Sequence, residues 1–350
     1  MMNARAINKL RQVLSTNKLE ALLITKEVNV SYLSGFKGTG QLLITPAKGV
    51  LLVDFRFKEQ AVSLARSFQI YQRAGFHPLE DDLLRLVKGL KLKRLGFEAT
   101  ALSYGFYCKL KRTLKPVELL PTTNIIERLR AIKTAPEIKL LKKAAALAGQ
   151  SLAFAKRIIK PGRKEREIAR EIQYFMRENG AEDCAFELIV ASGKRSSMPH
   201  AVASDKTIKD NEAVLIDLGC RISGYNSDLT RMVFLGRIKE KIKRIYKIVL
   251  QAQKLAINAV AAGEKICRID KVARQYITRE GLGPFFGHAL GHGIGREVHE
   301  YPSISPKNQD TLNQGMVFTV EPAVYIPGIG GVRVEDMVLV TATGCEVLTK

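Results

Sequence analysis

The stretch AVLIDLGCRISGYNSDLTRMVF, from Ala213 to Phe234, has the pattern of a β-hairpin that carries two acids. An apolar strand leads to Asp217, a turn follows, and a second strand begins at Asp228. Residues that face each other on antiparallel strands share a constant sum of residue numbers. A hairpin folded about Ile222 and Ser223 therefore makes the two aspartates direct cross-strand partners.

A second stretch, GMVFTVEPAVYIPGIGGVRVEDMVLV (Gly315 to Val340), repeats the construction with two glutamates. A hairpin centred on Gly328, inside the glycine-rich turn, sets Glu321 opposite Glu335. Like charges opposed on neighbouring strands destabilise a sheet unless something positive lies between them. The two carboxylate pairs together predict a bound divalent cation.

The histidines of the chain are concentrated in one glycine-rich segment, FGHALGHGIGREVHE. An isolated histidine is usually a structural residue, but three of the five fall within twelve positions here, among glycines that permit close backbone approach. We therefore predict that the segment lines an active site. Its histidines are His288, His292 and His299, and the other two are His77 and His200.

Four carboxylates and one imidazole form a ligand set that suits manganese, cobalt, iron or zinc better than a thiolate site would. The competing interpretation is that the acids are exposed hairpin charges that protect sheet edges. That interpretation accounts for one pair. It does not account for two pairs in apolar strands with a histidine-rich loop between them.

These residues carry a resemblance to a known family. The segments LIDLGCRISGYNSDLTR, GHGIGREVHE and GMVFTVEPAVYIPGIGGVRVED resemble the metal-binding motifs of the pita-bread metallopeptidases, in the proline-peptidase branch of aminopeptidase P and prolidase. VSYLSGF and LLVDFRF are similar to the creatinase-type N-terminal domain. The implied fold is an α/β creatinase-like N-terminal domain followed by an α+β pita-bread catalytic domain with pseudo-twofold halves.

The resemblance also implies a role for each matching residue. Asp217 binds one of two divalent metals, Asp228 and Glu335 bridge both, and His292 and Glu321 hold the other. Manganese or cobalt is the expected metal, with zinc or iron as the other options. The catalytic residues are then His200, His299 and Glu321, and the residues that bind substrate are His200, His288, His299 and Arg333.

The pattern of elements predicts two domains, residues 1–123 and 124–350. The N-terminal region alternates strands and helices in a βα rhythm, whereas longer amphipathic helices begin after Asn124. Beyond this residue, two helical segments are each followed by strands that carry acids, which predicts two related halves. Pro136 is placed for the first turn of a long helix.

Composition sets limits on location and partners. No apolar run is long enough for a spanning helix, and the charged start of the chain is unlike a signal peptide. The five cysteines are far apart along the chain, which indicates reduced thiols and a cytoplasmic protein. The net charge of +22 is spread over both predicted domains, so no nucleic-acid partner is expected.

The predicted function is metal-dependent hydrolysis of the Xaa-Pro bond, at the N-terminus of peptides or in dipeptides, by a hydroxide that two metals activate. The resemblance also implies a homodimer. Two alternatives remain open at this stage. One is an enzyme similar to methionine aminopeptidase, and the other is a peptidase-fold protein without catalysis that binds nucleic acid or another acidic partner.

Overall fold

The computed structural model describes residues 4–73, 75 and 77–349. The chain divides into two compact units, and the boundary lies between Arg130 and Ala131. The expected boundary followed Thr123, but the short helix after it packs Ile126 into the core of the first unit. Across the described residues, no helix is long and apolar enough to cross a membrane.

The first unit is built on a mixed six-stranded sheet with the strand order β4-β3-β2-β1-β5-β6. Pairs β1–β2 and β2–β3 are antiparallel, whereas β3–β4, β1–β5 and β5–β6 are parallel. The strands are β1 (Ala21–Ile24), β2 (Gly40–Ile44), β3 (Gly49–Val53), β4 (Gln69–Gln72), β5 (Arg94–Glu98) and β6 (Glu118–Thr122). The helices are α1 (Ala4–Thr16), α2 (Glu27–Ser34), α3 (Lys58–Leu64), α4 (Leu79–Gly89), α5 (Tyr104–Thr113) and α6 (Ile125–Ala131).

Both faces of this sheet are covered, because alternate residues of its strands enter two different cores. In β1, Leu22 and Ile24 belong to one cluster, while Ala21 and Leu23 belong to the other. A strand buried on both faces is therefore apolar throughout, which is how it was recognised in the sequence. Helix α2 was not predicted, because its buried residues run around most of its surface and leave no helical periodicity.

The second unit contains two helix pairs and several small antiparallel sheets. The helices are α7 (Ala135–Ile158), α8 (Glu165–Glu178), α9 (Glu240–Asn258) and α10 (Ile266–Arg279). The strands of its first half are β7 (Asp183–Cys184), β8 (Ile189–Ser192), β9 (Ala213–Leu218), β10 (Cys220–Ile222), β11 (Tyr225–Asn226) and β12 (Leu229–Phe234). Those of its second half are β13 (Gly291–Gly293), β14 (Glu300–Ile304), β15 (Val317–Val320), β16 (Ala323–Ile326), β17 (Gly330–Arg333), β18 (Asp336–Val340) and β19 (Cys345–Val347).

Helix α7 begins where the sequence predicts. Pro136 lies in its first turn, where a missing backbone N–H costs nothing, and Glu137 accepts a hydrogen bond from the backbone N–H of Thr134 at 2.7 Å. Helices α7 and α8 pack on the sheet β12-β9-β8 through one apolar cluster. Helices α9 and α10 belong to a second cluster with residues of β15 to β18. Each half thus sets a helix pair against strands that carry acids.

Candidate metal centre

The first hairpin forms, but its register differs from the prediction. Asp217 pairs with Thr230, so Asp228 lies two positions along from the predicted pairing. The reason is the turn: Ser223 and Gly224 both have positive φ, 50° and 78°, and together they are the two central residues. A two-residue turn of this kind centres the hairpin one residue later than we expected. The two aspartates are diagonal neighbours.

The second hairpin has the predicted register. Strands β16 and β17 pair from Ala323 opposite Arg333, and strands β15 and β18 pair up to Val320 opposite Asp336, with one common sum of residue numbers. Glu321 and Glu335 lie in the gap between these two ladders. The backbone N–H of Glu321 donates to Leu290 O at 2.8 Å, and that of Glu335 donates to Thr230 O at 3.2 Å. The ribbon therefore opens at the two acids.

His292 is held on β13 between two glycines. A Cβ on Gly291 would lie 1.9 Å from the carbonyl oxygen of Thr319, so the close approach of the strands requires glycine there. The backbone N–H of His292 donates to Thr319 Oγ1 at 3.1 Å. These contacts fix the position of the imidazole. Its Nε2 lies 3.2 Å from Glu321 Oε1 and 3.6 Å from Asp228 Oδ2.

The predicted ligands converge. One ligand atom from each of Asp228, His292 and Glu335 can be chosen so that all three lie within 4.8 Å of one another. Asp217 Oδ1 is buried and has no hydrogen-bond partner within the described part of the chain. A buried carboxylate oxygen without a donor is costly unless a cation completes it.

The electrostatics of the site also favour the binding of a cation. Burial raises the pKa of Asp228 well above its usual range, and the charges of Glu335 and Asp217 raise it further. Burial and the charge of Glu321 do the same to the pKa of Glu335. Burial opposes the shift at Glu321, but the hydrogen bond and charge of His292 lower its pKa overall. Burial likewise opposes the shift at His292, whose pKa the same pair with Glu321 raises.

All three nitrogens of the Arg333 guanidinium donate hydrogen bonds to protein groups. This was not expected for a residue predicted to bind substrate. Its Nη2 donates to Asp217 Oδ2 at 2.5 Å, its Nε donates to Thr230 Oγ1 at 3.0 Å, and its Nη1 donates to the hydroxyl of Tyr325 and to Pro199 O. The guanidinium is buried. These contacts give Arg333 a role in holding Asp217, and its contact with substrate stays a prediction.

Three further histidines predicted to act on substrate surround the same space. The ring centroid of His299 lies 4.2 Å from that of His292, and burial together with the charge of His292 lowers the pKa of His299. His288 packs against Phe286 and Tyr325, and its Nε2 is buried without a partner among the described residues. Burial lowers the pKa of His288. His200 lies in an exposed loop at the edge.

One cavity of about 780 Å³ brings the predicted residues together. Its lining includes all nine, namely Asp217, Asp228, His292, Glu321, Glu335, His200, His288, His299 and Arg333. Apolar side chains complete it, including Phe186, Ile189, Val202 and Val298. The volume lies in the range of pockets that bind small ligands.

Three hydroxyl residues of this site were not predicted from the sequence. Thr230 donates to Glu335 Oε2 at 2.7 Å, Thr319 donates to Glu321 Oε1 at 3.2 Å, and the Tyr325 hydroxyl accepts from Arg333. Thr230 and Thr319 each lie two residues from a predicted ligand, on the same face of a strand. That spacing is a signal that could have identified both. Burial raises the pKa of Tyr325 to about 12, so its hydroxyl stays protonated.

The donor set fits divalent metal ions. Oxygen and imidazole nitrogen donors at one centre are typical of manganese, cobalt, iron and zinc sites. The hydroxyl groups of Thr230 and Thr319 orient two of the carboxylates, as outer partners do around metal ligands. The site is thus an acidic, histidine-lined cavity with an excess of buried negative charge.

Comparison with known proteins gives two family matches. Residues 139–342 match the model of metallopeptidase family M24, and residues 7–132 match the creatinase/prolidase N-terminal domain. The chain is 40% identical to an Xaa-Pro dipeptidase of Pyrococcus horikoshii over 98% of this chain and 96% of that protein.

Solved structures agree with these matches. The fold superposes on an Xaa-Pro dipeptidase from Bacillus anthracis with a TM-score of 0.95 and 42% identity, covering 99% of this chain and 97% of that one. It superposes on an X-Pro aminopeptidase from Thermotoga maritima with a TM-score of 0.87 and 34% identity, covering 98% and 97%. The predicted fold, a creatinase-like domain followed by a pita-bread domain, is confirmed.

Proposed function

This chain belongs to metallopeptidase family M24 and carries a creatinase/prolidase N-terminal domain, and from that premise we propose that it hydrolyses the peptide bond before proline. The observation that carries the proposal is the convergence of Asp217, Asp228, His292, Glu321 and Glu335 on one cavity in a family of metallopeptidases. Full-length relatives named Xaa-Pro dipeptidase support the specificity for proline.

We assign the five convergent side chains as ligands of two divalent metals. In this assignment Asp228 and Glu335 would be the bridging carboxylates, Asp217 would hold one metal, and His292 with Glu321 would hold the other. The strongly raised pKa values of Asp228 and Glu335 support the bridging role, since these two carboxylates need the most compensating charge. When bound, the metals would polarise the scissile carbonyl and make hydroxide available near neutral pH.

The protein's own residues then position the peptide and move protons. Glu321 accepts a proton from the attacking water and passes it to the departing proline nitrogen, which is a general acid and base role. We assign His299 and His200, which both line the cavity, to stabilise the tetrahedral oxyanion by donated hydrogen bonds. His288, packed against Tyr325, belongs to the wall that receives the substrate.

The contacts of Arg333 indicate a different role from that of the histidines. Its guanidinium holds Asp217 through one N–H bond and reaches Thr230, the hydroxyl that orients Glu335, through another. Both metal-binding hairpins are therefore connected by one cation. This supports a positioning role for Arg333 in the proposed enzyme.

The bond before proline sets the chemical demand on the pocket. Proline lacks an amide N–H, so the site must accept its ring and cannot use a hydrogen bond from the substrate at that position. The apolar part of the cavity wall, with Phe186, Ile189 and Val298, suits a substrate of this kind. Dipeptides and longer peptides with proline in second position are the two candidate substrate classes.

A direct assay tests the proposal. Chelated enzyme would be reconstituted with manganese, cobalt or zinc and offered Ala-Pro, Ala-Pro-Gly and Ala-Ala. We expect metal-dependent hydrolysis of one or both proline substrates, none of Ala-Ala, and the highest turnover with manganese or cobalt. Equal cleavage of Ala-Ala, or release of N-terminal methionine in preference to Xaa-Pro cleavage, would contradict the proposal.

Three further expectations accompany this function. We propose that the enzyme is a homodimer in the cytoplasm, with peptides as its partners and no role in nucleic-acid binding. Gel filtration with light scattering tests the dimer. A salt-sensitive shift of RNA in a gel, without metal-dependent hydrolysis, would favour the alternative of a binding protein.

A further inference from the structure

Two cysteines that are 36 positions apart in the sequence face each other in the structure. Cys184 of β7 and Cys220 of β10 are direct partners in an antiparallel ladder. The spacing of the five cysteines along the chain indicates separate reduced thiols. All five are free thiols in the structure, but this pair is brought together by the fold.

The hydrogen-bond pattern shows which kind of pair it is. The backbone N–H of Ala185 donates to Gly219 O at 2.9 Å, so the adjacent pair of residues is the hydrogen-bonded one. Cys184 and Cys220 therefore form the narrow, non-hydrogen-bonded type of pair, in which Cα atoms are about 4.5 Å apart. Disulfides need a Cα separation of roughly 4.4 to 6.8 Å. A strand pair of this type therefore has a Cα separation within the range of disulfides.

Both thiols lie on the face of the strands that packs against helices α7 and α8. Cys220 Sγ lies 3.3 Å from Ala144 O on α7, and Cys184 Sγ lies 3.9 Å from Met176 Sδ on α8. Cys220 is fully buried, whereas Cys184 is partly exposed. Burial raises the pKa of both thiols, to about 11 for Cys220, so both stay protonated at neutral pH and react slowly.

We propose that Cys184 and Cys220 are a site of reversible cross-strand disulfide formation, with a low-molecular-weight disulfide such as oxidised glutathione as the oxidant. At mildly alkaline pH Cys184 loses its proton, and the thiolate attacks one sulfur of glutathione disulfide, which breaks its S–S bond and releases one glutathione thiolate that takes up a proton. Cys220 then loses its proton and attacks the Cys184 sulfur, which releases the second glutathione. Two protein thiols are oxidised, and one glutathione disulfide is reduced to two glutathione molecules.

This disulfide would lie next to the metal centre. The backbone N–H of Cys220 donates to Ser227 Oγ at 3.0 Å, and Ser227 Oγ donates back to Cys220 O. Asp228 is the next residue, and Phe186, two residues after Cys184, lines the cavity. The bond would tie β10 to β7, the strand that precedes Phe186 in the cavity wall. We therefore expect it to stabilise this part of the native protein.

The experiment uses full-length protein with Cys108→Ser, since Cys108 is exposed and would form mixed disulfides. Incubation with oxidised glutathione at mildly alkaline pH should lower the titratable thiols from four to two. Intact mass should fall by two hydrogens, and a peptide map should link Cys184 to Cys220. Thermal unfolding should move up by several degrees and return after dithiothreitol.

Further variants keep the test decisive. Adding Cys184→Ser or Cys220→Ser should abolish both the mass change and the thermal shift, and the matched variant Cys267→Ser should keep both. Cys184 is partly exposed, so its serine variant tests the idea even if Cys220→Ser folds poorly. A stable glutathione adduct on Cys184, a link between other cysteines, or unchanged thiols after prolonged incubation would overturn the proposal.

Discussion

At the scale of single residues, the site is defined by carboxylates that the fold buries, although burial disfavours their ionised form. Asp228 and Glu335 are almost completely buried, and the charges of neighbouring acids add to the effect of burial in raising the pKa of each. A native protein keeps such a cluster only where a ligand compensates it. We therefore expect the native protein to be less stable without metal than with it.

The first prediction concerns Asp228→Asn. We expect metal-dependent activity to fall by more than about 100-fold, because a proposed metal ligand is lost. Metal-free protein should become more stable, since the folded-state pKa of Asp228 is raised above its ordinary value of 3.8. The native state then binds more protons than the unfolded state, so the ionised carboxylate destabilises as the pH rises. Urea unfolding in chelator at several pH values measures this.

The matched control for that experiment is Asp210→Asn, an exposed acid of the same unit. It should leave activity and stability close to wild type. The stabilisation by Asp228→Asn should grow from about pH 4 towards neutrality. Retention of more than a few per cent of turnover, or a metal-free variant that is less stable than wild type at neutral pH, would count against the assignment.

The second prediction concerns Arg333→Met. The guanidinium is buried with Asp217, and removal of one partner leaves the other charge uncompensated. We expect a loss of about 3–5 kcal/mol in the free energy of unfolding of metal-free protein. Urea titration measures it. The exposed Arg170→Met on α8 should change stability by less than about 0.5 kcal/mol. Equal effects of both substitutions would show that the Asp217 pair contributes little.

At the scale of elements, sequence patterns predicted the strands that carry the acids better than they predicted their pairing. Strand β9, Ala213–Leu218, forms where the sequence predicts the apolar strand that leads to Asp217, because its apolar residues are continuous. The first hairpin was displaced by one residue at its turn, since a Ser-Gly pair with positive φ at both positions was not recognised. In this hairpin the geometry of the turn decides the register.

Other features of the site could not be read from the sequence at all. The contact of Arg333 with Asp217 joins residues 116 positions apart, and no local pattern announces it. The opposition of Cys184 and Cys220 depends on a two-residue strand that is too short to show any periodicity. Short elements and long-range polar contacts arise from tertiary packing, which a local pattern does not contain.

The third prediction concerns Gly291→Ala on β13. The added Cβ would lie 1.9 Å from Thr319 O, so the strands must separate beside His292. We expect a loss of about 1–3 kcal/mol in stability and weaker metal binding. Thermal unfolding and metal titration by calorimetry measure the two effects. For stability the matched control is Gly287→Ala, which meets no atom within 4 Å. Similar destabilisation by both variants would refute the steric argument.

At the scale of the whole molecule, each unit has its own apolar core, and the nine predicted site residues all belong to the second unit. The first unit matches a domain of the creatinase/prolidase type, and the second matches the catalytic family. The divalent metals that the family implies would therefore bind to the second unit alone.

The fourth prediction follows from that division. Metal at 100 times its dissociation constant should stabilise the bound state by about 2.7 kcal/mol. Hydrogen exchange in strands β9, β12, β15 and β18 should then slow by up to about 100-fold. Exchange by local opening in the six-stranded sheet of the first unit should change little. The same comparison with Asp228→Asn should show no slowing, and slowing confined to the first unit would place the metal elsewhere.

The opening of the second hairpin at Glu321 and Glu335 has a consequence for how the enzyme can vary. Strands β15 and β18 pair on one side of the two acids, and strands β16 and β17 continue the same register on the other side. The positions of the two glutamates are therefore set by the β15–β18 ladder and by two backbone hydrogen bonds. Leu290 O accepts from the N–H of Glu321, and Thr230 O accepts from the N–H of Glu335. The tip around Gly328, where an added Cβ would meet no atom within 4 Å, can therefore change in sequence without moving Glu321 or Glu335.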